Sequence, residues 1–547
     1  MNSRLRILSG ITLSVFIFAL AGCDAFAPED SFYQMKPDWD KLHSLENFSL
    51  TPKKGEPNAG QPEYMIDVNR PQNNEFKLTL EQCRAYTLAN NLDLKVQLVE
   101  PAIAAEQVNA EEAKFEAALY SNVQFGKTDT PVSTELEGMN VKSVQTDLGV
   151  KVPLKTGGAI NVNLVDDRFE TDNTFSTLNP AYSSDASVSI SQPLLRGAGK
   201  WVNTYSIRVA NYNLAETDAR TKLEAIRVLA TADRVYWRLY AARKLLEVRQ
   251  KEFEVAKAEL EKTRRLVKHG LKPAVEIVRA ESGVAERLQG IIIVDNQLRD
   301  AEREAKQIMN IPSVGVTTDA TVVPVTEPDP VRYEIKPNEL VGKATENRME
   351  MLELEFQIAQ ETEAIDFYKS QALPLVNLDY AYRINGLGAT RSDSYDLLFD
   401  KRFEDHFLGF NVLIPLGNEQ AKSRVREAFY RRKQSIATKE QRRTTIETEV
   451  LRVTDQLEAD WQSILAARQS AILAAEVFEA EQRQYEKGLR TMTEVLDAQA
   501  KYVDAASMEI AALAQYQISQ VDLAYATGTI LGSAKVRWEA ATNDRIN

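Results

Sequence analysis

Residues 270–282 read GLKPAVEIVRAES, and residues 488–500 read GLRTMTEVLDAQA. Gly270 matches Gly488, Leu271 matches Leu489, Glu276 matches Glu494 and Ala280 matches Ala498. Each copy follows a long charged amphipathic stretch and opens another, so each marks the tip of a helical hairpin. A tip used twice means two copies of one structural unit, and internal repetition decides the fold ahead of any single residue.

Working outward, the helical pattern before the first tip begins near Gly197. At 1.5 Å per residue it predicts a rod of roughly 100 Å. A helix over about 273–309 returns from the tip. A second rod runs from Asn418 to Lys487, and a helix over about 491–530 returns from it. Ahead of each rod the texture changes to strict alternation. Val144, Leu148, Val150 and Val152 alternate with Gln145, Asp147, Gly149 and Lys151. Ile160, Val162 and Leu164 alternate with asparagines, and Val188 and Ile190 with serines. With Val123 and Phe125 these give four strand candidates within 118–194. Leu378, Tyr380, Tyr382 and Ile384, then Leu408, Phe410, Val412 and Ile414, give two more within 372–414.

The expected organisation is a signal segment 1–22, an extended tether 23–77, a first repeat 78–310, a proline-bearing linker 311–335, a second repeat 336–530 and a tail 531–547. Thr79 with Gln82 forms a capping-box start for helices over about 79–89 and 92–116, broken near Asn90-Asn91. Residues 386–404 read as a polar loop. At the N-terminus, Arg4 and Arg6 precede an apolar run from Ile7 to Leu20, shorter than the roughly 20 residues that span a bilayer. Leu20-Ala21-Gly22-Cys23 resembles a bacterial lipobox, which makes Cys23 an expected lipidation site. Cys83 then has no disulfide partner and reads as a packed core residue.

Composition narrows the function. Charged residues make up 27% of the chain and the mean hydropathy is −0.34, which excludes a polytopic helical membrane protein. A formal charge of −13 argues against nucleic acid as a partner. His43, His269 and His406 lie far apart and suggest no metal site. No nucleophile–base pair or phosphate loop is legible, so neither an enzyme nor a cofactor is expected. Strands of about 8–11 residues, apolar on one side and polar on the other, match the transmembrane-barrel pattern. Tyr120, Phe169, Tyr182, Phe403 and Phe407 lie near strand ends as candidates for aromatic girdles. So few strands leave open sheet edges, which a membrane forbids. Several copies must therefore close one barrel.

The order of helices, strands and long helix pair, then the same again, resembles the outer membrane efflux protein family, the TolC-like channels, over about residues 78–530. LTLEQCRAYTLANNLDL resembles the family's opening segment. SISQPLLRGAG (189–199) and GFNVLIPLGNEQAKSRVREA (409–428) resemble its two strand-to-rod junctions. The resemblance implies a mainly α fold with transmembrane β: a homotrimeric barrel continued by a long periplasmic α-helical barrel. It implies a passive exit duct of a tripartite efflux or type I secretion system in the Gram-negative outer membrane. The partners are then a periplasmic adaptor, an inner-membrane pump of RND, ABC or MFS type, and outer-membrane lipids. It further implies that Tyr485, Arg490, Glu494 and Asp497 at the second tip, with Glu276 at the first, form a gate, Arg490 and Tyr485 bonding near Glu276. Gly270, Leu271, Gly488 and Leu489 fall at adaptor-contact positions.

The chain departs from the family's usual two strands per half by offering four in the first half. Either three copies build an 18-stranded barrel, or residues 145–167 form a hairpin outside the membrane. The competing function is a lipid-anchored periplasmic coiled-coil scaffold without a pore, which Asp24, directly after Cys23, keeps open.

Overall fold

A computed structural model describes residues 75–133 and 138–538. The signal segment, Cys23 and nearly all of the expected tether lie outside the described residues, as do residues 539–547.

Strand β1 (Glu75–Leu78) leads into α1 (Leu80–Asn90), whose start carries the expected reciprocal cap between Thr79 and Gln82. The next helical stretch breaks twice. Asn91 caps α2 (Leu92–Gln97), and a second interruption at Leu98-Val99 precedes α3 (Glu100–Glu112), which has a proline in its first turn. Four strands follow: β2 (Ala118–Asp129), β3 (Asn140–Pro153), β4 (Ala159–Thr171) and β5 (Ala181–Pro193). The first rod, α4 (Tyr205–Lys268), is 64 residues long, about 96 Å, and α5 (Val275–Met309) returns from it.

The segment expected as a plain linker contains β6 (Thr321–Pro324), which pairs in parallel with β1. The second half repeats the plan: α6 (Pro337–Asn347), α7 (Met349–Gln371), β7 (Leu375–Gly388), α8 (Arg391–Phe399), β8 (Glu404–Leu413), then the 68-residue rod α9 (Glu419–Glu486) and α10 (Met492–Ala526).

The two halves meet in one six-stranded antiparallel sheet of order β2-β3-β4-β5-β7-β8. Leu148 stands opposite Leu164, Val162 opposite Val188, and Val188 opposite Tyr382. The apolar sets of all six strands therefore share one face. The other face carries Gln145, Asp147, Asn161, Asn163, Ser187, Ser189, Arg383 and Asn385. This register corrects the girdle assignment. Tyr120 pairs with Gly149, Phe169 with Ser143 and Phe407 with Ala381, all on the polar face. Tyr120 donates from its hydroxyl to Asn163 at 2.5 Å. Of the five, Tyr182 does lie on the apolar face, with Phe125, Tyr380, Tyr382 and Phe410. Face assignment depends on parity along the strand, and nearness to a strand end does not supply it.

The expected polar loop at 386–404 is also corrected, because it contains α8. Gly386 and Gly388 let this helix lie flat on the apolar face at the sheet end remote from the rods. A Cβ on Gly386 would stand 2.1 Å from the Ser394 carbonyl oxygen. Ser394 donates to Ser184 at 2.8 Å, and Arg391 pairs with Asp166 at 2.7 Å.

Away from the sheet, α1 and α6 pack against the middle of the rods. Ile226 and Leu229 of α4 meet Val521 of α10, and Ile446 and Val450 of α9 meet Ala344 and Met351. Cys83 is fully buried there, and burial pushes its thiol up to about 12. Its neighbour Arg84 grips Asp233 through two hydrogen bonds of 2.7 Å, with the Asp233 side chain only 1% exposed. Removing one partner of such a pair strands the other charge. Asp233→Ala is expected to destabilise the protein by about 3–5 kcal/mol, read as a lowered thermal transition of the rods by circular dichroism.

Candidate functional site

The two tips are built alike because the same backbone device ends both rods. In the first, Leu271 N–H donates to the Leu266 carbonyl at 3.0 Å and Gly270 N–H to Val267 at 2.9 Å. In the second, Leu489 N–H donates to Gln484 at 3.0 Å and Gly488 N–H to Tyr485 at 2.9 Å. Gly270 and Gly488 have φ of 72° and 75°, the left-handed conformation that a Cβ disfavours. Such a cap usually places an apolar contact under the residue after the glycine. Here Leu271 and Leu489 remain 71% and 72% exposed, so neither leucine is used in closing its own turn.

The copies differ in how the returning helix starts. Thr491 accepts from Glu494 N–H, and Glu494 accepts from Thr491 N–H, the latter at 2.7 Å. These backbone and side-chain donors of Thr491, together with Arg490, hold the Glu494 carboxyl below its ordinary value. The first tip has Pro273 before its returning helix and no side-chain cap.

Arg490 staples the arms of the second hairpin: it lies 2.7 Å from Glu494 on α10 and 3.1 Å from Glu481 on α9. Tyr485 is buried against Met492 and Val495. Its hydroxyl accepts from Lys272 of the first tip, whose ammonium stands 3.7 Å from the ring centroid. Partial burial there pushes Lys272 below the ordinary lysine value.

The expected bond of Arg490 and Tyr485 near Glu276 is not present within this chain. Glu276 pairs with Arg279 at 2.9 Å, and Lys272, directly after Leu271, reaches the tyrosine instead. Asp497 pairs with Lys501 at 2.7 Å. Tyr485, Arg490 and Glu494 thus belong to one tip cluster, while Asp497 and Glu276 are held locally. The contact role of Lys272 was missed, although a signal existed: Lys272 and Arg490 occupy the same position of the repeat. Also missed was a seam behind the tips. Arg287 of α5 lies 3.3 Å from Glu252 of α4, both side chains almost fully buried, and Gln499 of α10 donates to the Glu252 carbonyl at 3.4 Å.

Residues 340–529 match the family model described as "Outer membrane efflux protein". The chain is 24% identical over 313 residues to "Outer membrane protein TolC" of Salmonella enteritidis, covering 55% of this chain and 61% of that one. It is 22% identical over 350 residues to "Outer membrane protein TolC" of Vibrio cholerae, covering 63% and 76%. The second half of the chain thus carries the outer membrane efflux protein domain, and the chain as a whole is similar to TolC proteins. Its match to the Salmonella relative spans less than two thirds of that protein's length. Among solved structures the Campylobacter jejuni CmeC outer membrane channel superposes with a TM-score of 0.62 at 13% identity, over 82% of this chain and 85% of that one. The efflux-protein fold is therefore shared where little sequence is.

Proposed function

We propose that this protein is the outer-membrane exit duct of a tripartite efflux or type I secretion system: a passive homotrimeric channel, closed at its periplasmic helical tips. One observation carries the reading. A sheet apolar on one face and polar on the other is joined in the same chain to two helical hairpins whose long arms are each about 100 Å. Lipid on one side and a water-filled lumen on the other account for the sheet. The hairpins have the length to carry that lumen into the periplasm.

Cys23, as a lipidated N-terminus, adds an anchor in the same membrane. The gate consists of the Tyr485–Lys272 contact and the Arg490 staple, repeated in each copy, with Glu276 and Asp497 beside them. Each exposed ion pair is worth only about 0–1 kcal/mol, which suits a closure that a partner can open. Gly270, Leu271, Gly488 and Leu489 serve as docking points for the adaptor, since the glycines fix two turns that leave their leucines bare.

Crosslinking tests this. Leu271→Cys and Leu489→Cys, each carrying a photoactivatable group, are expected to capture a periplasmic adaptor in intact cells, whereas Lys142→Cys on the sheet is not. Leu271→Asp with Leu489→Asp should abolish export while trimers persist. Full export by that double variant would reject the docking role.

A further inference from the structure

We infer that the exit barrel takes six strands from each copy, so that three copies close 18 strands, and that its outer end is wider than four strands per copy would make it. The inference rests on the membrane-barrel reading above.

The decisive observation is that β3 and β4 are internal to the sheet. β2 pairs with β3 from Ala118–Lys151 to Asp129–Asn140 without a slip in register. β3 pairs with β4 from Val141–Thr171 to Pro153–Ala159, and β4 with β5 from Ala159–Ser191 to Phe169–Ala181. No direct β2–β5 ladder exists in the sheet order. Any lipid band that crosses β2 and β5 therefore crosses β3 and β4 at the same height. A hairpin lying outside the membrane would require breaking both ladders and re-pairing β2 with β5.

Both ends of the hairpin are tied at levels that agree with a full crossing. At the rod end, its turn is bound to the strand-to-rod junction. Gly199 N–H donates to the Thr156 carbonyl at 3.0 Å, Gln192 donates to the same carbonyl at 3.1 Å, and Asn203 donates to the Gly197 carbonyl beside Gly157 at 2.8 Å. At the far end, Asp166 of β4 is paired with Arg391 of α8, the helix that lies on the outward face there. Between these ties the outward residues of the hairpin are apolar: Leu148, Val150 and Val152 on β3, and Ile160, Val162 and Leu164 on β4. At the far tie Thr146 stands opposite Asp166, and beyond it Val144 stands opposite Arg168. From Leu148 to Val152 the strand rises about 14 Å at about 3.4 Å per residue. This stretch spans the rod-side part of an apolar band of about 25 Å, and beyond it α8 lies on the outward face.

The two strands whose outer backbone edges are unpaired are β2 and β8. They are exposed along most of their length. Edge groups inside a bilayer must be satisfied, and a second copy supplies the complementary edge, β2 of one against β8 of the next. Barrel diameter grows roughly in proportion to strand number, so 18 strands give about 1.5 times the width of 12. The barrel then imposes little restriction on cargo, and size selection falls to the periplasmic tips.

Spin labels on single-cysteine variants of the trimer in liposomes test the inference. Labels at Leu148→Cys, Val150→Cys and Val162→Cys are expected to be reached by oxygen. Labels at Gln145→Cys and Asn161→Cys are expected to be reached by a water-soluble nickel chelate. Val188→Cys and Tyr382→Cys, on strands that belong to the barrel on either count, are the reference for lipid exposure. Chelate access to positions 148, 150 and 162 while 188 and 382 remain oxygen-exposed would overturn the six-strand barrel and leave the channel reading standing. Chelate access at all five would overturn the membrane-barrel reading itself. An electron-microscopy cross-section showing 18 strands agrees with the inference, and one showing 12 contradicts it.

Discussion

Replacing Tyr485 and Arg490 together by alanine is expected to convert a mostly closed channel into a mostly open one in planar lipid bilayers. The Tyr485 ring holds the Lys272 ammonium, and such a contact is worth about 0.5–2 kcal/mol depending on desolvation. The Arg490 pairs add about 0–1 kcal/mol each at their exposed site. A loss of about 1–2 kcal/mol per copy becomes about 3–6 kcal/mol if three copies open together, which moves the closed-to-open ratio by about 10²–10⁴. Lys272→Ala should reproduce much of the change, because it removes the tie between hairpins while leaving the second tip folded. Glu276→Gln should do less, since Glu276 is bound to Arg279 on its own helix. Unchanged open probability in the double variant would remove the tip cluster from the gate.

The second large effect concerns the sheet. Leu148→Arg places a guanidinium on the apolar face near mid-strand, and such a charge costs about 2–4 kcal/mol at a bilayer midplane. The cost is paid in every copy, so heat-resistant trimers in outer-membrane fractions should fall to a small fraction of the normal amount. Gln145→Arg, on the same strand but the polar face, should assemble normally. Equal tolerance of both substitutions would show that the apolar face does not meet lipid.

These expectations draw on features that were unequally legible in the sequence. The tips were readable because a helix ending in the left-handed conformation asks for glycine, and Gly270 and Gly488 both supply it. The strands were readable because alternation with period two survives any tertiary context. The aromatic girdle was misread because the side to which Tyr120, Phe169 and Phe407 belong follows from register, which is a property of strand pairs. Helix α8 was missed because its nine residues are too few to show a helical period, and its place is set by its seat on Gly386 and Gly388. The β1–β6 pairing joins segments far apart in sequence and leaves no local trace. The Tyr485–Lys272 contact is likewise set by how two hairpins lie together, although the repeat alignment of Lys272 with Arg490 pointed at the position.

Conduction of ions by the purified protein is the most direct mark of a duct. Purified protein in a planar lipid bilayer is expected to insert in discrete steps of ion conductance, small in the native chain and much larger once Tyr485 and Arg490 are replaced. Protein that binds the bilayer and yet gives no conductance steps, with the tips intact or replaced, would contradict the duct and leave a scaffold without a pore.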